Sequence, residues 1–156
     1  MHTYIIKIAF YLSLIVGLAF SFSIQAKDNT KKHNDILTVN LIEKVTVVTQ
    51  AQNKVMMHNS TKSDVDHLFS MYSDDFVYIH EVYGGKYSKE NLYNNTVKYL
   101  KSGGYNKVED RYTVVSYLVG LNTVAVQRKE NKNGALHLAV FEFKQDKVSK
   151  ITEYWK

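Results

Sequence analysis

Residues 140–155 read Val-Phe-Glu-Phe-Lys-Gln-Asp-Lys-Val-Ser-Lys-Ile-Thr-Glu-Tyr-Trp, and the fold turns on this stretch. Aromatic and β-branched residues lead up to Lys144. Gln145 and Asp146 interrupt them, and a second run closes on Trp155. Two strands joined by so short a turn must pair antiparallel. With Gln145-Asp146 as a two-residue turn, Leu138 is expected opposite Glu153, Val140 opposite Ile151 and Glu142 opposite Ser149. Side chains alternate along a strand. One face is therefore expected to carry Leu136, Leu138, Val140, Ile151 and Trp155, with the acids Glu142 and Glu153 among them.

Working back from this hairpin, further strands are predicted near 107–119, 122–130 and 136–144. They are separated by Gly120-Leu121 and by Asn133-Gly134, and Asn-Gly between two strands is a strong hairpin signal. Upstream the periodicity changes. Leu37, Leu41, Val45, Val48, Gln52 and Val55 recur at spacings of three and four, which predicts a helix from a cap at Asp35 to about Met57. The β-branched run Val45–Thr49 favours a strand, but the helical spacing persists over five turns and decides the matter. Thr61 or Ser63 starts a second helix with Val65, Leu68, Phe69 and Tyr72 on one side. Phe76–Val82 reads as a strand and Gly84-Gly85 as a turn. Ser88 caps a third helix with Glu90 in its first turn. Leu92, Thr96, Val97 and Leu100 form that helix's inner stripe, and Gly103-Gly104 ends it. Helices followed by an antiparallel meander make an α+β domain over 36–156.

The chain begins differently. Lys7 precedes an uncharged apolar run from Ile8 to Phe22, and Ser23-Ile24-Gln25-Ala26 has a small residue at its end. Residues 1–26 read as a cleaved secretory signal peptide, the apolar run being shorter than the ~20 residues of a spanning helix. Residues 27–35 form a polar, mobile leader. The expected location is periplasmic or secreted, with no membrane contact after cleavage. The chain has no Cys, which excludes disulfides, thiol catalysis and a lipoprotein anchor. Removing 1–26 leaves 19 basic and 15 acidic residues, a net charge of +4. Those lysines are dispersed, without the clustered face that nucleic acid requires.

The order helix–helix–strand–helix–meander, the closing Glu153-Tyr154-Trp155, and the stretch Asp74-Asp75-Phe76-Val77-Tyr78-Ile79-His80 before Gly84-Gly85-Lys86-Tyr87 resemble the NTF2-like superfamily, particularly its SnoaL-like and ketosteroid-isomerase-like branch. The resemblance implies a cone of three helices packed on a curved antiparallel sheet. It also implies a pocket between the two layers and a homodimer formed through the open sheet face. Asp146 stands where the family usually has Gly, a position at which Asp tolerates left-handed dihedrals. No Asp here matches the general base of the steroid-isomerase branch.

Glu153 leads the candidate catalytic residues. Among apolar neighbours its carboxyl is expected to have a raised pKa and to serve as acid or base near neutral pH. His80, on a face with Phe76 and Tyr78, is the candidate partner for proton transfer. Tyr78, Tyr112, Glu142 and Trp155 are the candidate ligand contacts. Arg111 and Arg128 are the only arginines, and either could clamp an anion. His137 is expected on the face opposite Glu153, where it would form a dimer surface with Phe141, Phe143 and Tyr154. The scattered His residues have no metal-ligand spacing, and no phosphate loop or cofactor motif occurs. Three functions follow: binding of a small hydrophobic or aromatic molecule; a cofactor-independent isomerase or dehydratase using Glu153 and His80; and a homodimeric interaction module.

Overall fold

The amphipathic stripe of the first helix organises the protein. In this computed structural model, which describes residues 38–156, α1 is helical over 38–56. Leu41, Val45, Val48 and Val55 are buried in the core as their spacing predicts. Tertiary burial thus overrides the β propensity of 45–49. The signal-peptide and leader readings, with Asp35 and Leu37, lie outside the described residues. Residues Asn40–Lys156 form one compact unit.

α2 (Lys62–Ser70) starts with a capping box, in which Thr61 and Asp64 each satisfy the other's backbone N–H. β1 (Tyr72–His80) and β2 (Gly85–Ser88) form a hairpin. α3 (Lys89–Lys101) is capped by Ser88, whose Oγ accepts from the Asn91 N–H at 3.2 Å. The meander follows as β3 (Tyr112–Gly120), β4 (Thr123–Glu130), β5 (Leu136–Lys144) and β6 (Lys147–Tyr154).

The six strands run in the order β2-β1-β6-β5-β4-β3. β1 pairs with β6 in parallel, and every other pair is antiparallel. The sheet is therefore mixed, because the chain leaves β1 and crosses through α3 and the meander before returning beside it. Two strand limits also differ from expectation. β1 starts at Tyr72, its ring stacked on Phe76 at 4.1 Å. β3 starts only at Tyr112, where Asn53 of α1 holds both backbone groups: Nδ2 donates to the carbonyl at 2.8 Å and Oδ1 accepts from the N–H at 3.0 Å.

The closing hairpin carries the main correction. Gln145-Asp146 is a two-residue turn, with the left-handed φ of 56° on Gln145 rather than Asp146. Lys144 pairs with Lys147 and Phe143 with Val148, but Glu142 then pairs with Lys150 rather than Ser149. Ser149 is the extra residue of a β-bulge, its Oγ donating to the Glu142 carbonyl at 3.1 Å. A slip of one residue exchanges the two faces of a strand. Beyond the bulge, Ala139 faces Glu153 and Phe141 faces Ile151. His137, Phe141 and Phe143 are consequently buried and cannot form the surface assigned to them. The outer face instead carries Leu136, Leu138 and Tyr154, all exposed.

α3 buries no residue completely. Its Leu92, Val97 and Leu100 rest against the core only in part, and Leu92 and Thr96 help to line a cavity.

Candidate functional site

The cavity has a volume of about 400 Å³. Its walls come from α1 (Gln52, Val55, Met56), α2 (Leu68, Phe69), α3 (Leu92, Thr96, Tyr99) and the inner face of the sheet. The sheet delivers Tyr78 and His80 from β1, Tyr112 from β3 and Glu153 from β6, with Trp155 just beyond. Five of the six candidates thus meet at one cavity. Glu142 is not among its lining residues: the bulge sends it to the other face, where it pairs with Lys150 at 2.7 Å.

Glu153 is almost wholly buried and fully engaged. Oε1 accepts from Arg128 Nη2, while Oε2 accepts from the Tyr78 hydroxyl at 2.7 Å and from Trp155 Nε1 at 2.8 Å. Arg128 is completely enclosed. Its Nη1 donates to Gln52 Oε1 at 3.0 Å, and Gln52 Nε2 donates to the Tyr72 hydroxyl at 3.3 Å. The Arg128 guanidinium also lies 4.2 Å from the Tyr112 ring centre. Ala139, between Glu153 and Val126 in the inner row, is small and buried.

This environment reverses the expected titration of Glu153. Burial pushes its carboxyl up, but the Arg128 charge and the bonds from Tyr78, Arg128 and Trp155 outweigh burial and hold it below the usual value of 4.5. The group is ionised at neutral pH. The two phenols beside it move the other way. Burial first, then the Glu153 charge, pushes Tyr112 up to about 12 and Tyr78 upward as well. Both remain neutral hydrogen-bonding groups.

His80 is the backbone partner of Glu153 across β1 and β6, yet no hydrogen bond among the described residues joins their side chains. Its Nδ1 accepts from the Tyr83 N–H at 3.4 Å, which places the ring proton on Nε2, a buried atom with no partner. Tyr83 and Trp155 lie 4.5 and 4.6 Å from the His80 ring. His137, expected on the far face, stacks on Trp155 at 4.4 Å, and burial holds its pKa below 6.5.

The sequence offered Arg128 as an anion clamp, but its terminal nitrogens are taken by Glu153 and Gln52 instead, and Gln52 had no role beyond the α1 stripe; both left a trace. Arg128 continues the alternation of Val124 and Val126, and Gln52 interrupts the run of apolar residues Leu41, Val45, Val48 and Val55 on α1. Polar residues at inward positions need partners, and these two find each other.

Among the described residues, no group of three or more His, Asp or Glu is placed to hold a metal ion. No family model and no curated protein matches the sequence. Solved structures do match. An NTF-2 like protein of unknown function from Burkholderia xenovorans LB400 superposes with a TM-score of 0.55 at 21% identity, covering 75% of this chain and 83% of that one. Another from Pseudomonas aeruginosa gives 0.56 at 12% identity, over 75% and 98% of the two chains. A third, from Cytophaga hutchinsonii ATCC 33406, gives 0.52 at 11% identity, over 74% and 89%. The chain has the NTF2-like fold. In NTF2-like terms the helices cover the inner face of the sheet and the cavity opens between the layers. Likeness at such identities fixes the architecture and leaves the ligand to the side chains.

Proposed function

We propose that this chain is an exported NTF2-like domain that binds a small hydrophobic or aromatic molecule in the cavity between its helices and its sheet. One observation carries the reading: the cavity is walled largely by aromatic rings, and its one carboxylate, Glu153, is already occupied by three protein donors. Concave, mostly apolar walls with a few fixed polar groups are what small-molecule sites require. A carboxylate held ionised in this way is a poor proton acceptor and suits a structural or orienting role better than catalysis.

The enzymatic alternative, with Glu153 and His80 as acid and base, keeps one point in its favour, the unpartnered Nε2 of His80 in the cavity wall. Homodimerisation through the sheet's outer face is supported by Leu118, Leu136, Leu138 and Tyr154, which leave an apolar surface open.

A native mass spectrum of the protein purified gently from the exported fraction tests all three. The expected result is a small-molecule mass that disappears on denaturation, carried by a dimer. A protein without adduct, whose Trp155 emission no aromatic compound changes saturably, overturns the binding reading.

A further inference from the structure

Resting on the cavity as a binding site, we infer that its ligand is an organic anion: a carboxylate borne on a planar apolar body, with Arg111 receiving the carboxylate. The inference comes from the hydrogen-bonding capacity the protein leaves unused around the cavity.

The carboxylate acceptors are spent. Glu153 takes three donors through its two oxygens. Glu130, beside Arg111, gives Oε1 to Arg111 Nε at 3.0 Å and Oε2 to Asn133 Nδ2 at 2.9 Å. Donors remain. Arg111 lines both the cavity and the adjacent surface depression, where Lys107 and Lys132 stand with Glu109 and Asp110, so it stands at the mouth. Its Nε is used, but neither terminal nitrogen reaches an oxygen among the described residues. Nη1 has only the Met56 sulfur at 3.9 Å. The guanidinium is held between two rings, 4.8 Å from the Tyr112 ring centre and 5.2 Å from that of Trp155. A fixed planar fork with free terminal N–H groups matches a carboxylate. His80 Nε2–H, enclosed by Tyr83 and Trp155, is a second donor without an acceptor.

A cationic ligand fits less well. Cations bind aromatic sites by lying over ring faces, and at the mouth Arg111 and Arg128 already lie over Tyr112 and Arg111 over Trp155, so a ligand cation there would meet like charge. A neutral apolar ligand would leave the buried His80 Nε2–H unanswered, which is costly. The remaining wall, including Phe69, Tyr78, Tyr99 and Tyr105, offers surface to a flat ring system.

The test uses naphthoate, naphthamide and naphthylmethylammonium, three bodies of matched shape and different charge. Binding is read from the emission of Trp155, the only tryptophan. Naphthoate is expected to bind about tenfold tighter than naphthamide, the scale of one charge-assisted hydrogen bond. That advantage should shrink with added salt, vanish in Arg111→Gln and survive in part in Arg111→Lys. Saturable binding in which the amide equals the carboxylate, or the ammonium exceeds it, overturns the inference and leaves the cavity reading standing. No saturable change with any of the three overturns both. Should Arg111→Gln fail to fold, Arg111→Lys and the salt dependence decide the outcome.

Discussion

Near the turn, β5 and β6 divide as sheets usually do, with Phe141, Phe143, Val148 and Ile151 buried and the Glu142–Lys150 pair outside. At their other end the two faces invert that division. Inward, toward the helices, lie His137, Ala139 and Glu153, joined by Arg128 from β4. Outward lie Leu136, Leu138 and Tyr154, all exposed. Charge is buried and leucine is left in solvent, on the same two strands. Burying a guanidinium and a carboxylate rarely adds net stability over an apolar core of the same shape. The buried pair is therefore hard to explain by stability alone, and the outer face leaves an apolar surface open.

The contrast can be broken most sharply at Arg128. Arg128→Met leaves Glu153 charged, buried and short of its ionic partner, and should cost about 3–5 kcal/mol in chemical denaturation. Adding Glu153→Gln should restore most of that loss. A single variant as stable as the parent would mean that the pair is not buried as described. On the outer face the same kind of change should matter little. Glu142→Gln removes the partly exposed pair with Lys150 and should shift stability by less than about 1 kcal/mol. A larger loss would mean that the outer face, too, is covered and ordered.

Much of the architecture was legible because its signals are local. Thr61 and Ser88 cap helices, Asn133-Gly134 and Gln145-Asp146 turn the chain, and the α1 stripe has one period throughout. The parallel pairing of β1 with β6 has no local signal, since the partners lie about seventy residues apart in the chain. The site was half legible. Glu153, His80, Tyr78, Tyr112 and Trp155 were brought to one cavity, but Glu142 was assigned to the wrong face and His137 to the face opposite Glu153. Both errors come from the single extra residue at Ser149. A trace of it was present. Phe141 and Phe143 keep a spacing of two while Val148 and Ile151, also in the core, stand three apart, and only a bulge lets one face hold them all. The lowered pKa of Glu153 was hidden for a related reason: it depends on Arg128, which reaches Glu153 only once the register is right.

That ionisation state separates binding from acid–base catalysis, and Trp155 reports it. Its indole N–H donates to Glu153 Oε2, and it is the only indole in the chain, so its proton resonance can be followed through a pH titration without assignment. With Glu153 held below 4.5, Glu153→Gln should leave the course of the resonance from about pH 8 to pH 5 unchanged, any movement there arising from His137 stacked on the same indole; this is the range in which a general acid–base group would titrate. The step that depends on Glu153 should come as the pH falls through the lowered value, where the stability supplied by the ionised carboxylate is also lost. A midpoint near neutrality, abolished by Glu153→Gln, would contradict this and return Glu153 to the role of a catalytic acid or base.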